Sequence, residues 1–573
     1  MPDAITTDRR NGPAGGGGAS NRWAVLAMVA AFVICLLPYA SDFIIFQPDE
    51  DHYVQGALIM MDTGDYLTPR TGDNSLRLLK PPLAYWLNVA GMEVFGISVL
   101  GIRVFWLVMA AGILLLTARL ARLLTANGDV ALLAAAMLAP NLLFIRLTLT
   151  VIPDAPLIFF MLLAMNGFVG LLSAPEPRRS DAWMAYGGTA LAILTKGLLP
   201  LVMAVYFAAA ALLFPFVRAK ARRLVAPPAI VVSLAVAASW FVYQILSRPE
   251  AFYQQFVGDQ VSEKVGVSAG SMLNSLAVSG ASLVLPLAAW LLVLATASWA
   301  SGRRPKLTAH GPAAALLAGW IVVNLLVFVP AQPIYVRYIL PALPAFAVLL
   351  AAALTSLDRD VVRRHLQRLL ILGIVLAGPL LAAALAITAP LMDPFTVAAL
   401  AAALAVAIVV LWLAARSKSL VFPVLANALL PVGALLFVSP SITVLAMPDM
   451  ARVISDELQA RDLSDAGIVF LDAPREAAKA QVYEKRTAPY QLVAADEQTL
   501  AALDAERPPV IVTRDKALAD RLTSLGYDNA ELKGGWRDID TDVLIEALRT
   551  GTLPQAREAH AERVYFLTRP SEN

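Results

Sequence analysis

Charge is what this chain of 573 residues has least of: Asp, Glu, Lys and Arg make up 15% of it, against about 25% in an ordinary soluble domain. With 58% hydrophobic residues, it has too little polar surface to cover a water-soluble body. Cysteine is nearly absent too. The lone Cys35 excludes an internal disulfide and, set in an apolar run, reads as a small buried residue. No sign of charge dominates: the formal net charge is +2, so no nucleic-acid partner is implied. A glycine-rich phosphate loop is missing as well, which argues against an ATP-driven pump.

What the chain does have is long apolar blocks. Trp23–Ala40, Ala155–Leu172, Pro227–Leu246, Tyr338–Leu354 and Leu369–Thr388 carry few or no charges. Each is long enough to cross about 30 Å of hydrocarbon as a helix. A β-barrel would show short alternating segments instead. The pattern predicts an all-α polytopic membrane protein with about thirteen spans of this kind. They lie near 23–40, 103–118, 130–145, 155–172, 183–194, 198–217, 227–247, 279–299, 313–330, 338–355, 369–389, 397–415 and 420–446. Residues 1–22 are Gly-rich and polar and are expected to form a disordered cytoplasmic tail, with the first span a retained anchor.

Basic residues orient these spans. With the N-terminus cytoplasmic, each inside loop is basic: Arg119 and Arg122; Arg178 and Arg179; Arg218 to Arg223; Arg303 to Lys306; Arg359 to Arg368; Arg416 and Lys418. The first outer loop is then about 41–102. From 447 to 573 charge rises and long apolar runs stop. Strands at Gly467–Leu471, Pro509–Thr513 and Arg563–Leu567, with helices at Met450–Ala460 and Lys516–Leu525, predict an extracytoplasmic α/β domain.

Reactive residue types gather in the outer loops. The first begins Gln-Pro-Asp49-Glu50-Asp51-His52-Tyr53, followed by apolar residues at the spacing of an amphipathic helix on the membrane surface. Two readings are open: a helix start whose dipole favours carboxylates, or a catalytic carboxylate. The Asp, Glu and His52 cluster matches no metal-ligand template, so no metal ligand is assigned and a divalent cation is left open. Lys80 precedes Pro81, Pro82, Tyr85 and Trp86. It reads either as a lysine reaching for lipid headgroups or as an ammonium that meets a phosphate. Asp154 stands between Pro153 and Pro156 at the mouth of a span, as a cap or as a second acid. Arg146, Lys196 and Arg337 are outside cations against the inside bias. Each meets either an anionic substrate or one of those carboxylates. Tyr335 and Tyr338 flank Arg337.

Taken in order, these motifs resemble the membrane glycosyltransferases of the aminoarabinose-transferase and protein-mannosyltransferase superfamily, the GT-C fold. They are Pro48-Asp49-Glu50 with Tyr53; Met61 to Pro69; Lys80 to Leu87; Gly96, Ser98 and Arg103; Pro153 to Pro156; Thr195-Lys196-Gly197; and Arg337 to Pro344. The resemblance covers about 23–446, and the α/β tail suits the aminoarabinose branch. It implies an inverting transferase that moves a sugar from a polyprenyl-phosphate carrier to lipid A or another cell-envelope lipid or glycan acceptor. It implies Asp49 as principal catalytic carboxylate and Asp154 as second acid. Lys80 would stand near the donor phosphate, with Arg337 and Tyr338 lining the donor site. Glu50, Tyr53, Tyr85, Arg146, Lys196 and Tyr335 complete the candidate substrate and phosphate contacts. Leu79 and Val99 stand where the family often has Glu. The first removes a carboxylate from beside the donor site, so a neutral or acidic sugar stands beside a cationic one.

The expectation is therefore a multi-pass enzyme of the cytoplasmic (inner) membrane, with its site and C-terminal domain outside. Its other neighbours would be membrane lipids. A protein O-mannosyltransferase-like activity is the alternative. A transporter or flippase predicts charges deep in the spans and broken helices at the midplane. A receptor or scaffold leaves Asp49, Lys80 and Asp154 unexplained.

Overall fold

The computed structural model describes residues 17–43, 49–262, 268–306, 311–330, 335–494 and 508–569. Among these, nine helices are long and apolar enough to cross a membrane. A tenth span arises if Gly128–Leu138 and Leu142–Thr148, bent by 75° at their break, are counted together. The other predicted spans are also helical: Arg179–Lys196, Leu201–Leu213 and Gly311–Val327. The protein is thus a multi-pass membrane protein. Residues 17–22, expected in a disordered tail, already belong to the first helix. The rest of that tail, 1–16, lies outside the described residues.

Burial separates the helices by role. Asp154–Ser173 is enclosed by its neighbours, whereas Pro394–Arg416 is exposed along nearly its whole apolar length. The second is stable only with hydrocarbon around it. Cys35 is half-buried and packs on the core.

The helices that build the site come first in the chain. They are α1 (Gly17–Ala40), α2 (Glu50–Thr63), α3 (Leu83–Phe95), α4 (Val99–Thr125), α5 (Gly128–Leu138), α6 (Leu142–Thr148), α7 (Asp154–Ser173) and α8 (Arg179–Lys196). Local chemistry ends and starts them. Gly64 closes α2 in the left-handed region, φ 70°, where a Cβ is costly. Gly96 takes φ 75° between α3 and α4, and the Ser98 hydroxyl then accepts the Gly101 N–H at 3.0 Å as the cap of α4. Helix α2 was expected on the membrane surface. It is instead buried over most of its circumference, packed on α3 and on the helix Pro474–Tyr483 of the C-terminal part.

Helices α7 and α8 pack closely through small residues. A Cβ on Gly167 would collide with the Ala185 backbone nitrogen and the Asp181 carbonyl, and one on Gly188 with backbone of Phe160 and Ala164. Small residues let helix backbones approach where van der Waals packing is the main cohesion. Gly167→Ala is expected to cost about 1–3 kcal/mol. Its detergent-extracted protein should show a lower apparent Tm at fixed scan rate, and an unchanged Tm would contradict this packing.

The C-terminal part is a small mixed sheet with helices. Its strands are β1 (Ile468–Leu471), β2 (Gln491–Val493), β3 (Val510–Thr513), β4 (Asp528–Lys533) and β5 (Arg563–Thr568), in spatial order β2-β1-β3-β5-β4. β1 is parallel to β2 and β3, while β5 is antiparallel to β3 and β4. Ile468 and Phe470 face one core, Val469 and Leu471 the other. A strand covered on both faces reads as a continuous apolar run.

Candidate active site

Antiparallel packing of α7 on α8 brings the first residue of one beside the last residue of the other. Asp154 and Lys196 meet there, Nζ to Oδ1 at 2.7 Å, both largely buried. Pro153 occupies the cap position of α7 and makes no side-chain cap bond. The Asp154 carboxylate turns to cations instead. Its second oxygen lies 3.7 Å from Nε of Arg337. Arg337 reaches on to Asp49, 3.4 Å from its Oδ2. Asp49 stands at the N-cap of α2 but makes no side-chain cap bond either. Neither acid caps its helix by a hydrogen bond; both face Arg337.

Aromatic rings fix the two cations. The Lys196 ammonium lies 5.1 Å from the Tyr338 ring centre, and the Arg337 guanidinium 4.7 Å from that of Tyr335. Tyr338 in turn stacks on Phe328. Asp154, Lys196, Arg337, Tyr338 and Phe328 open onto a cavity of about 400 Å³, whereas Asp49 and Tyr335 stand off its lining. Lys80, Asp154, Lys196, Arg337 and Tyr338 line it together with Leu157, Ile158, Met161, Val202, Phe256, Trp320 and Phe328. The wall is thus largely apolar with a group of charges, a form suited to an amphipathic ligand.

The other candidates lie off this lining. Glu50 is fully buried and accepts from Arg103 Nε at 3.2 Å and from a terminal guanidinium nitrogen at 3.1 Å. It also accepts the Val151 N–H at 3.0 Å. Tyr53 and Tyr85 pack on each other, 5.1 Å between centroids. Arg77 covers the Tyr53 ring and donates to the Tyr85 hydroxyl at 2.9 Å. Arg146 is exposed on α6. Asp51 and His52 do not join a metal site: among the described residues no group of three or more His, Cys, Asp or Glu side chains converges. Burial pushes the Asp51 carboxyl up and the His52 imidazole down from their ordinary pKa values.

Two residues escaped the reading of the sequence, Arg77 and Asn324, and a third, Arg103, was named there as a motif residue with no partner assigned. Arg77 falls in the loop 41–102 expected outside, so the charge bias that singled out Arg337 applied to it equally, whereas Arg103 opens the span expected at 103–118. Asn324, in the apolar helix Gly311–Val327, lines the cavity, and its Oδ1 has no hydrogen-bond partner among the described residues. A polar residue inside an apolar span was the signal available.

Residues 21–246 match the family described as dolichyl-phosphate-mannose-protein mannosyltransferase. The fold matches the crystal structure of ArnT from Cupriavidus metallidurans bound to undecaprenyl phosphate, at a TM-score of 0.66 over 90% of this chain and 96% of that one, with 18% identity. The chain shares its fold with that ArnT structure, and residues 21–246 are similar in sequence to the mannosyltransferase family. Among the curated relatives of this chain is an uncharacterized protein of Aquifex aeolicus, 27% identical over 41% of the chain and 48% of the relative. Another is the undecaprenyl phosphate-alpha-4-amino-4-deoxy-L-arabinose arabinosyl transferase of Yersinia pestis, 26% identical over 60% of the chain and 61% of the relative. The matched region thus spans about half to three fifths of these relatives' lengths.

Proposed function

We propose that this protein transfers a sugar, with inversion, from a polyprenyl-phosphate carrier to a cell-envelope acceptor at the extracytoplasmic face of the membrane. The observation that carries the reading is the convergence of Lys80, Asp154, Lys196 and Arg337 on one apolar-walled cavity, with Asp49 off the lining but paired to Arg337. An isoprenoid chain fits the apolar wall, and its phosphate fits the cations. A departing phosphate gains negative charge, which fixed Lys and Arg side chains stabilise in a water-poor site. Asp154 holds two of those cations in place. Asp49 then accepts the proton of an acceptor hydroxyl, or stabilises the oxocarbenium-like sugar when the acceptor is already anionic. The printed names of the relatives and the ligand of the ArnT structure support the carrier class. The basic inside loops support the outer placement.

Asp154 is the one carboxylate in the described lining and is held by Lys196 and Arg337. Half-buried Leu79 offers no charge beside Lys80. Both features favour a sugar without an ammonium group. The charged cavity residues also sit at helix ends rather than mid-span, which favours surface chemistry over passage through the membrane.

Mass spectrometry of the envelope lipids and glycoproteins of a deletion strain tests the reading. One sugar mass should disappear, from lipid if the acceptor is a lipid and from protein if it is a mannosyltransferase-like substrate. No change in either would end it. In the purified enzyme, Lys80→Met should raise KM for the polyprenyl-phosphate donor about 10- to 100-fold, the value of one charge-assisted hydrogen bond. An unchanged KM would remove Lys80 from the phosphate site.

A further inference from the structure

The carboxylate of Asp49 is half exposed, and the polar contact the structure gives it is the 3.4 Å approach of Arg337. That is a loose hold for a group whose position sets the rate. The described residues around it, by contrast, are anchored through Arg103. Next to it, Glu50 is locked to Arg103 and to the Val151 N–H. The same Arg103 donates to the carbonyls of Tyr39 at 2.8 Å and Asp42 at 3.0 Å.

The same short stretch is gripped by the C-terminal domain. Arg537 donates to the Phe43 carbonyl at 3.0 Å. The Tyr483 hydroxyl donates to Asp42 Oδ1 at 3.0 Å. Its ring meets Phe43 edge-on at 5.6 Å. The Phe43 ring is fully buried between two cations of different parts of the chain, the Arg103 guanidinium at 5.3 Å and the Lys479 ammonium at 5.7 Å. Asp449, itself 1% exposed, gathers the grip: it accepts from Lys479 Nζ at 2.8 Å and from Arg537.

Charges are a costly way to glue two domains, since an apolar patch of the same size would avoid their desolvation. What they add is direction. Arg537 bonds a main-chain carbonyl and Tyr483 a carboxylate, so this contact fixes register as well as proximity. We propose that the C-terminal domain is a positioning element of the active site. Through Arg537, Tyr483 and the Asp449–Lys479 pair it holds residues 42 and 43, and through Arg103, which bonds both the Asp42 carbonyl and Glu50, it sets where Asp49 stands beside Arg337. The inference rests on the transferase reading for its consequence in turnover and on the geometry alone for its consequence in structure.

Two measurements on the full-length purified protein separate these. In Arg537→Met, amide hydrogen exchange in the first turn of α2 should quicken, with α7 and α8 unchanged. Turnover should fall about 10- to 100-fold with donor KM held within about twofold, because a misplacement near 1 Å costs that much. Tyr483→Phe, which removes one hydroxyl, should act in the same direction by a smaller factor, and Arg537→Lys should recover part of the loss. Unchanged exchange in α2, or full turnover in Arg537→Met, would overturn the proposal. A merely structural contact would lower Tm and leave the turnover of the folded fraction intact. If the wild-type protein transfers no sugar from any polyprenyl-phosphate donor, the functional reading falls, and the exchange measurement still decides the clamp. Should Arg537→Met not fold, Tyr483→Phe carries both readouts.

Discussion

Asp49→Asn is expected to lower turnover about 100- to 10,000-fold, the range over which a positioned proton acceptor acts. The substitution keeps size and hydrogen-bonding capacity and removes only charge. Because the Asp49 side chain makes no cap bond to α2 and is half exposed, expression and thermal stability should stay near wild type. Donor KM should change little, since the phosphate is assigned to Lys80, Lys196 and Arg337. The measurement is single-turnover transfer at saturating donor, alongside an apparent Tm. Wild-type turnover in Asp49→Asn would remove the central assignment. A matched loss in Tm and turnover would reduce Asp49 to a structural group.

The second large effect is on stability. Arg103→Leu leaves Glu50 fully buried without its guanidinium partner. Breaking a buried pair in this way costs about 3–5 kcal/mol. Arg103 also donates to the Tyr39 and Asp42 carbonyls, which then lose their donor. A sharp fall in apparent Tm and in detergent-extractable yield is expected. Adding Glu50→Gln should restore part of it, because a buried amide is cheaper than a buried carboxylate. A single variant as stable as wild type would mean that water reaches Glu50 and that the pair is not a keystone.

The membrane helices were legible because length and apolarity are properties of one segment at a time. Each predicted span coincides with a helix, yet 130–145, read as one, is two helices at 75°. Pro140 and Asn141 mark that break, and Asn141 caps α6 through the Phe144 N–H. In the C-terminal domain the three strands read from sequence, β1, β3 and β5, are interior to the sheet and therefore apolar. The two that were missed, β2 and β4, are its edges. β4 reads Asp-Asn-Ala-Glu-Leu-Lys, with Leu532 alone buried, and an edge strand carrying charge is ordinary practice in sheets. In the site, Lys196 and Arg337 were visible as cations against the inside bias, and Asp154 as a carboxylate at the mouth of a span. Their pairing was not, since Asp49 and Arg337 lie 288 positions apart. Glu50 shows the converse. As a carboxylate next to Asp49 it was indistinguishable from a reactive group until Arg103 was found opposite.

The α7–α8 hairpin has a consequence for how the site tolerates change. Asp154 opens a helix of 20 residues and Lys196 closes one of 18, so their meeting depends on two lengths counted from the far turn. Each residue added or removed in either helix shifts the end by about 1.5 Å and turns it by about 100°. One deletion near Gly188 would therefore swing the ammonium away from Asp154 without touching any residue of the cavity. The far turn, with Arg119 bound to Asp181 at 2.9 Å, acts as the zero mark of a ruler whose other end is the proposed site.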